Sequence, residues 1–268
     1  MKQLFSKTLL AAAVAATAFA STNAFAAIYN PFTVNEGSVP GAAPNMIVDA
    51  TRISGTYGES VTFTTGSTFS TTLVYRASDF FKGSTGTQEV PNQLGSFSSN
   101  QYQLYATLTG TGTYTTNSAG TTFTFNVGGP QDLKVYLDPG HTTTFNANAD
   151  AVSGGNGTDI LIATGGVVSG SGTLAASCNQ NQDCGRFGTT TSFNLTADGS
   201  NYFTKPNPFY QFSIQSGNFL PFAVGSGTVE TSGSVDITFN GVPEPESIAL
   251  FGVGLLGLGI AARRRKQA

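Results

Sequence analysis

Tryptophan is absent from the 268 residues, histidine occurs once and cysteine twice. Three soft ligands scattered along a chain cannot supply the four that a structural zinc site needs, so no metal is expected. The two cysteines, Cys178 and Cys184, stand too far apart for the Cys-x-x-Cys of a redox enzyme. His141 follows Leu137-Asp-Pro-Gly140 and reads as a solvated turn residue. It lacks the nucleophile a catalytic histidine serves, since no G-x-S-x-G motif occurs. Charge is scarce too, at 10% of residues. Between residues 27 and 242 six basic side chains face thirteen acidic ones, a net charge of −7. That balance excludes the basic footprint of a nucleic-acid-binding protein. Three-turn amphipathic helices, heptads and fixed-period repeats are also missing from this stretch. Gly165–Gly172 and Thr109–Tyr114 are glycine-rich but do not complete a phosphate loop, and glycine in such segments marks bulges or close sheet contact.

What is present is organised for export. Lys2 and Lys7 precede the apolar run Leu9–Ala20, and Ala24-Phe25-Ala26 supplies a small-x-small cleavage site before Ala27. Residues 1–26 therefore read as a secretory signal peptide, and residues 27–242 as the exported domain.

Within that domain, short β-branched and aromatic segments alternate with turn clusters. Thr121-Thr-Phe-Thr-Phe-Asn-Val127 and Val235-Asp-Ile-Thr-Phe-Asn240 show the period of two that buries one face of a strand. Gly154-Gly-Asn-Gly157, Ala197-Asp-Gly-Ser200 and Lys205-Pro-Asn-Pro208 read as turns. The expectation is an all-β fold, a β-sandwich or jelly roll, because stacked sheets let many antiparallel strands bury one face each.

In an exported chain, Cys178 and Cys184 are expected to form one disulfide that closes a polar loop. So small a loop adds about 2–3 kcal/mol and pins one segment rather than the domain. Asp138, Asp150 and Asp159 could offer oxygen ligands, but no calcium-loop spacing supports them. A glycosidase pair among the acids would be formed only in space, and nothing singles two out. With no tryptophan, Tyr57, Tyr75, Tyr102, Tyr105, Tyr114, Tyr202 and Tyr210 are the stacking candidates for a sugar; most are expected in the core or on a sheet face.

The C-terminus has three consecutive parts. Pro243-Glu244-Pro245 is an extended, accessible spacer, because proline restricts both itself and its predecessor. Residues 248–262 are uncharged and apolar, a short but sufficient transmembrane helix. Arg263, Arg264, Arg265 and Lys266 form a stop that the positive-inside rule places in the cytoplasm. Residues 243–268 resemble the PEP-CTERM sorting signal of Gram-negative bacteria. The resemblance implies transient residence in the inner membrane and cleavage by an exosortase near the Pro-Glu-Pro motif. An uncleaved single-span anchor is the plainer alternative.

A second resemblance lies in the exported domain. Arg52-Ile-Ser-Gly-Thr-Tyr-Gly-Glu59, Asn100-Gln-Tyr-Gln-Leu-Tyr-Ala-Thr-Leu108 and Tyr202-Phe-Thr-Lys-Pro-Asn-Pro-Phe-Tyr-Gln-Phe212 are similar to segments of flocculation-associated PEP-CTERM proteins. This implies a non-enzymatic protein without cofactor, at the cell surface or in the extracellular matrix, that acts with exopolysaccharide in flocculation or biofilm formation. The alternatives are a secreted carbohydrate-binding module and a polysaccharide-active enzyme.

Overall fold

The computed structural model describes residues 29–95, 101–127, 132–146, 151–154, 157–176, 184–220, 222–225 and 227–241. In chain order the strands are β1 Phe32–Asn35, β2 Ile47–Ala50, β3 Arg52–Thr64, β4 Thr68–Lys82, β5 Gln88–Val90, β6 Gln103–Asn117, β7 Gly120–Phe125, β8 Asp132–Asp138, β9 Thr143–Phe145, β10 Val152–Gly154, β11 Ile160–Gly165, β12 Val167–Ala175, β13 Gly185–Ser192, β14 Asn194–Leu195, β15 Phe203–Lys205, β16 Phe212–Phe219 and β17 Gly227–Asn240. A short α-helix, α1, spans Ala197–Tyr202.

Eight of these strands close into a barrel. β3, β4, β6, β7, β12, β13, β16 and β17 each pair antiparallel with the next, and β17 returns to β3 from Gly227↔Phe63 to Ile237↔Ile53. Neighbours around the ring follow chain order, which defines an up-and-down barrel. The wall is continued on one side by β8, which joins the first half of β6, then by β11 and β14.

The sandwich or jelly roll expected from the sequence is therefore corrected to a closed barrel. Alternation reports only that each strand has one buried face, and both architectures satisfy it. Closure comes from length: β3, β4, β6 and β17 run 13–15 residues, enough to tilt and coil around an axis. Joining β17 to β3 also removes the two exposed edges that an open sheet would leave.

Inward positions follow the alternation. On β3 they are Ile53, Tyr57, Glu59, Val61 and Phe63, and outward ones include Ser54, Thr56, Ser60 and Thr62. Burial of each large apolar side chain contributes about 1.5–3 kcal/mol. Glycines on the inner face make room for rings from neighbouring strands. A Cβ at Gly112 would stand 2.5 Å from the Phe69 ring, and one at Gly217 would stand 2.8 Å from the Phe187 ring. These rings lie against the wall where a side chain is missing, which draws them away from the barrel axis. The glycine-rich stretches Thr109–Tyr114 and Gly165–Gly172 thus belong to β6, β11 and β12, serving close sheet contact.

Both ends are stoppered by aromatics. At one, the small sheet β15-β1-β2 packs Phe32 and Phe203 against Phe193 and Phe239; Phe239 lies 5.1 Å from Phe32 and 5.0 Å from Phe193 between ring centroids. At the other, Phe222, from the connection between β16 and β17, meets Phe63 at 6.3 Å and Phe123 at 5.9 Å. Ala197–Ser200, read as a turn, opens α1 instead. The Thr196 hydroxyl accepts the Gly199 N–H at 3.0 Å and caps its first turn, a local bond that outweighs the glycine's poor helix propensity.

Candidate functional site

The barrel encloses a cavity of about 110 Å³. Its lining is overwhelmingly apolar and includes Phe69, Leu73, Leu108, Phe123, Val235 and Ile237. One ionisable carboxylate enters it, that of Glu59. Strand alternation puts Glu59 on the same face as Tyr57 and Val61, so the backbone that builds the core also turns this acid inward. Thr71, on the neighbouring strand β4, donates its hydroxyl to Glu59 Oε1 at 2.5 Å. Burial pushes the Glu59 carboxyl up to about 6, with the Thr71 hydrogen bond working in the opposite direction. No basic side chain contributes to that balance among the described residues.

Across the barrel from β4 and β6, strands β13 and β16 carry a small polar cluster. Thr191 and Ser213 hydroxyls lie 2.6 Å apart, and Gln215 Nε2 donates to both, at 3.1 and 2.7 Å. Gln215 Oε1 is buried without a hydrogen-bond partner.

A second buried acid lies outside the lumen. Glu36 is fully buried, and its two oxygens accept the Gln93 N–H at 2.9 and 3.1 Å. Tyr102 donates to Glu36 Oε1 at 2.9 Å, and the Tyr102 and Tyr202 hydroxyls meet at 2.5 Å. Burial raises the Glu36 pKa against the lowering effect of these hydrogen bonds. Burial likewise raises both tyrosines well above their ordinary value. The network ties the turn after β1 to the segment after β5, to the start of β6 and to the end of α1.

Of the stacking candidates, Tyr57, Tyr75, Tyr102, Tyr105 and Tyr202 are buried, and Tyr114 and Tyr210 are partly buried against the core. Tyr105 donates to Asp159 Oδ2 at 2.6 Å. Asp138 and Asp159 converge on Thr143, Asp138 accepting its N–H at 2.8 Å and Asp159 its hydroxyl at 2.7 Å. Asp138 is fully buried and also accepts the Gly140 N–H, so it holds the turn after β8. His141 sits in that turn at φ +51, and its Nε2 donates to the Gln101 carbonyl at 2.5 Å. Among the described residues no group of three or more His, Cys, Asp or Glu is placed to hold a metal ion.

Cys184 is buried just before β13 and is disulfide-bonded. Cys178 lies outside the described residues, as do Ala24, Ala26 and Ala27, the signal peptide, Pro243-Glu244-Pro245, the apolar segment 248–262 and Arg263–Lys266. No helix among the described residues is long and apolar enough to cross a membrane. The barrel's outward face is polar where a membrane barrel would carry an apolar band. Thr64, Thr68, Thr113, Thr124 and Ser171 stand side by side across five strands, and Thr62, Ser70 and Thr111 form the next row.

Comparison with known proteins supplies the chain's address: residues 241–266 match the PEP-CTERM protein-sorting motif. The chain carries that signal, which marks it for export to the cell envelope and for an exosortase. No curated protein and no solved structure matches the chain.

Proposed function

We propose that this chain is a non-enzymatic surface or matrix protein, freed from its sorting signal by exosortase, that associates with extracellular polysaccharide and promotes flocculation. The observation that supports the polysaccharide reading is the hydroxyl grid on the outer wall. Strands lie about 4.8 Å apart, and outward residues on one strand about 7 Å apart. The rows through Thr64–Ser171 and Thr62–Thr111 therefore offer a regular lattice of donors and acceptors to a neutral, hydroxyl-rich polymer. The low charge of the exported domain suits such a partner.

The test combines a gene deletion with a wall variant. Loss of flocs on deletion, restored by the wild-type gene but not by one carrying Thr68→Glu and Thr113→Glu, is the expected result. Normal flocculation in the deletion strain, with the protein demonstrably made by its parent, defeats the reading. Mass spectrometry of the mature C-terminus tests the processing step. A product ending upstream of residue 248 is expected, and one still ending at Ala268 counts against exosortase cleavage.

A further inference from the structure

The hydroxyl wall leaves the inside of the barrel without a task. Eight strands are the number at which a barrel is either filled by its own side chains or keeps room for one small ligand. Here room remains, because Phe69 and Phe187 lie over inward glycines, leaving the cavity of about 110 Å³. An apolar cavity of ~150 Å³ accommodates the six carbons of benzene, so this one suits about four to five non-hydrogen atoms.

Polar residues stand in the lining at Glu59 and Thr71, Tyr75, Thr189, Thr191, Ser213 and Gln215. Thr191, Ser213 and Gln215 Nε2 bond one another, while the Tyr75 hydroxyl and Gln215 Oε1 are buried without a partner. Glu59 is the one carboxylate among them. A carboxylate can accept roughly four hydrogen bonds. Among the described residues Glu59 receives one, from Thr71, and has no salt-bridge partner. The cations on the adjoining strands are engaged outside the barrel: Arg52 pairs with Asp236 at 2.7 Å, and Arg76 lies over the Phe145 ring at 4.8 Å. An acid retained in an apolar interior without a cation is costly to the fold, and a ligand that supplies the cation removes that cost.

We propose that the lumen binds a small primary amine with a short apolar tail, its ammonium paired with Glu59 and its tail among Leu73, Leu108, Phe69 and Phe123. The register supports this placement. Glu59 stands opposite Leu73 on β4, and Leu73 opposite Leu108 on β6, so the apolar contacts begin beside the carboxylate.

The experiment uses the mature protein isolated from the producing cells, wild type and Glu59→Gln, with n-butylamine and its uncharged isostere n-pentane as probes. NMR titration gives affinity and stoichiometry, and nuclear Overhauser contacts give the seat. Saturable one-to-one binding of butylamine is expected, with contacts to the Leu73 and Leu108 methyls. Glu59→Gln should weaken butylamine at least tenfold and change pentane less than threefold. Equal butylamine binding by both proteins overturns the proposal, as does contact with outward residues such as Val168. Failure of wild type to bind butylamine overturns it as well. Loss of pentane along with butylamine in a Glu59→Gln protein whose spectrum stays native also counts against it, because the apolar half of the site has no need of the charge.

Discussion

Glu36 and Glu59 are both acids removed from bulk water, yet their surroundings are opposite. Glu36 is enclosed by donors: the Gln93 N–H reaches both oxygens, and Tyr102, itself bonded to Tyr202, reaches one. Glu59 has a single hydroxyl and an apolar void. The first arrangement is a knot that joins four segments distant in sequence. The second is a charge whose position packing alone does not explain. Buried carboxylates are thus informative through their donors, and a deficit of donors points outward to a ligand.

The contrast predicts opposite signs on mutation. Replacing Glu36 by Ala leaves the Gln93 N–H without an acceptor in a dry site, while Tyr102 keeps Tyr202, and unfolding stability should fall by about 1–3 kcal/mol. A loss under about 1 kcal/mol in urea denaturation would break the comparison. Glu59→Gln should instead raise stability by about 2 kcal/mol at pH 7, from the difference between an ordinary carboxyl of 4.5 and one pushed up to about 6.

The pH dependence of that gain sharpens the test. A carboxyl raised in the folded state holds its proton more tightly there than in the unfolded chain. Stability therefore falls as pH rises from about 4.5 to about 6, and the penalty is complete above that window. The advantage of Glu59→Gln should accordingly shrink to about 0.4 kcal/mol at pH 4.5 and vanish below it. A gain of equal size at pH 4.5 and pH 7 would show that charge is not its cause.

Two smaller effects complete the series. Tyr202→Phe removes one hydroxyl from the Glu36 network, leaving Tyr102 bonded to Glu36, and should cost about 1 kcal/mol in the same denaturation measurement. Thr71→Val deletes the one donor to Glu59. It should move the Glu59 titration, followed by NMR of its side-chain carboxyl carbon, further upward; a downward shift would contradict the assignment of Thr71 as donor.

The two acids also differ in how readable they were. Glu59 was within reach of strand alternation, since Ile53, Tyr57, Val61 and Phe63 share its phase. Glu36 could not be found that way, because its partners lie 57 and 66 residues along the chain and no local period connects them. The helix over Ala197–Tyr202 was obscured by Asp-Gly, a pair that reads as a turn until Thr196 caps it.

The sequence by itself determined the β class, through period-two alternation, and the export address, through a linear Pro-Glu-Pro, apolar and basic order that a membrane enzyme reads locally. Tertiary structure decided what alternation leaves degenerate. A strand with one buried face fits a sandwich or a barrel equally well until β17 pairs with β3, and only that closure makes the buried face a lumen with Glu59 inside it.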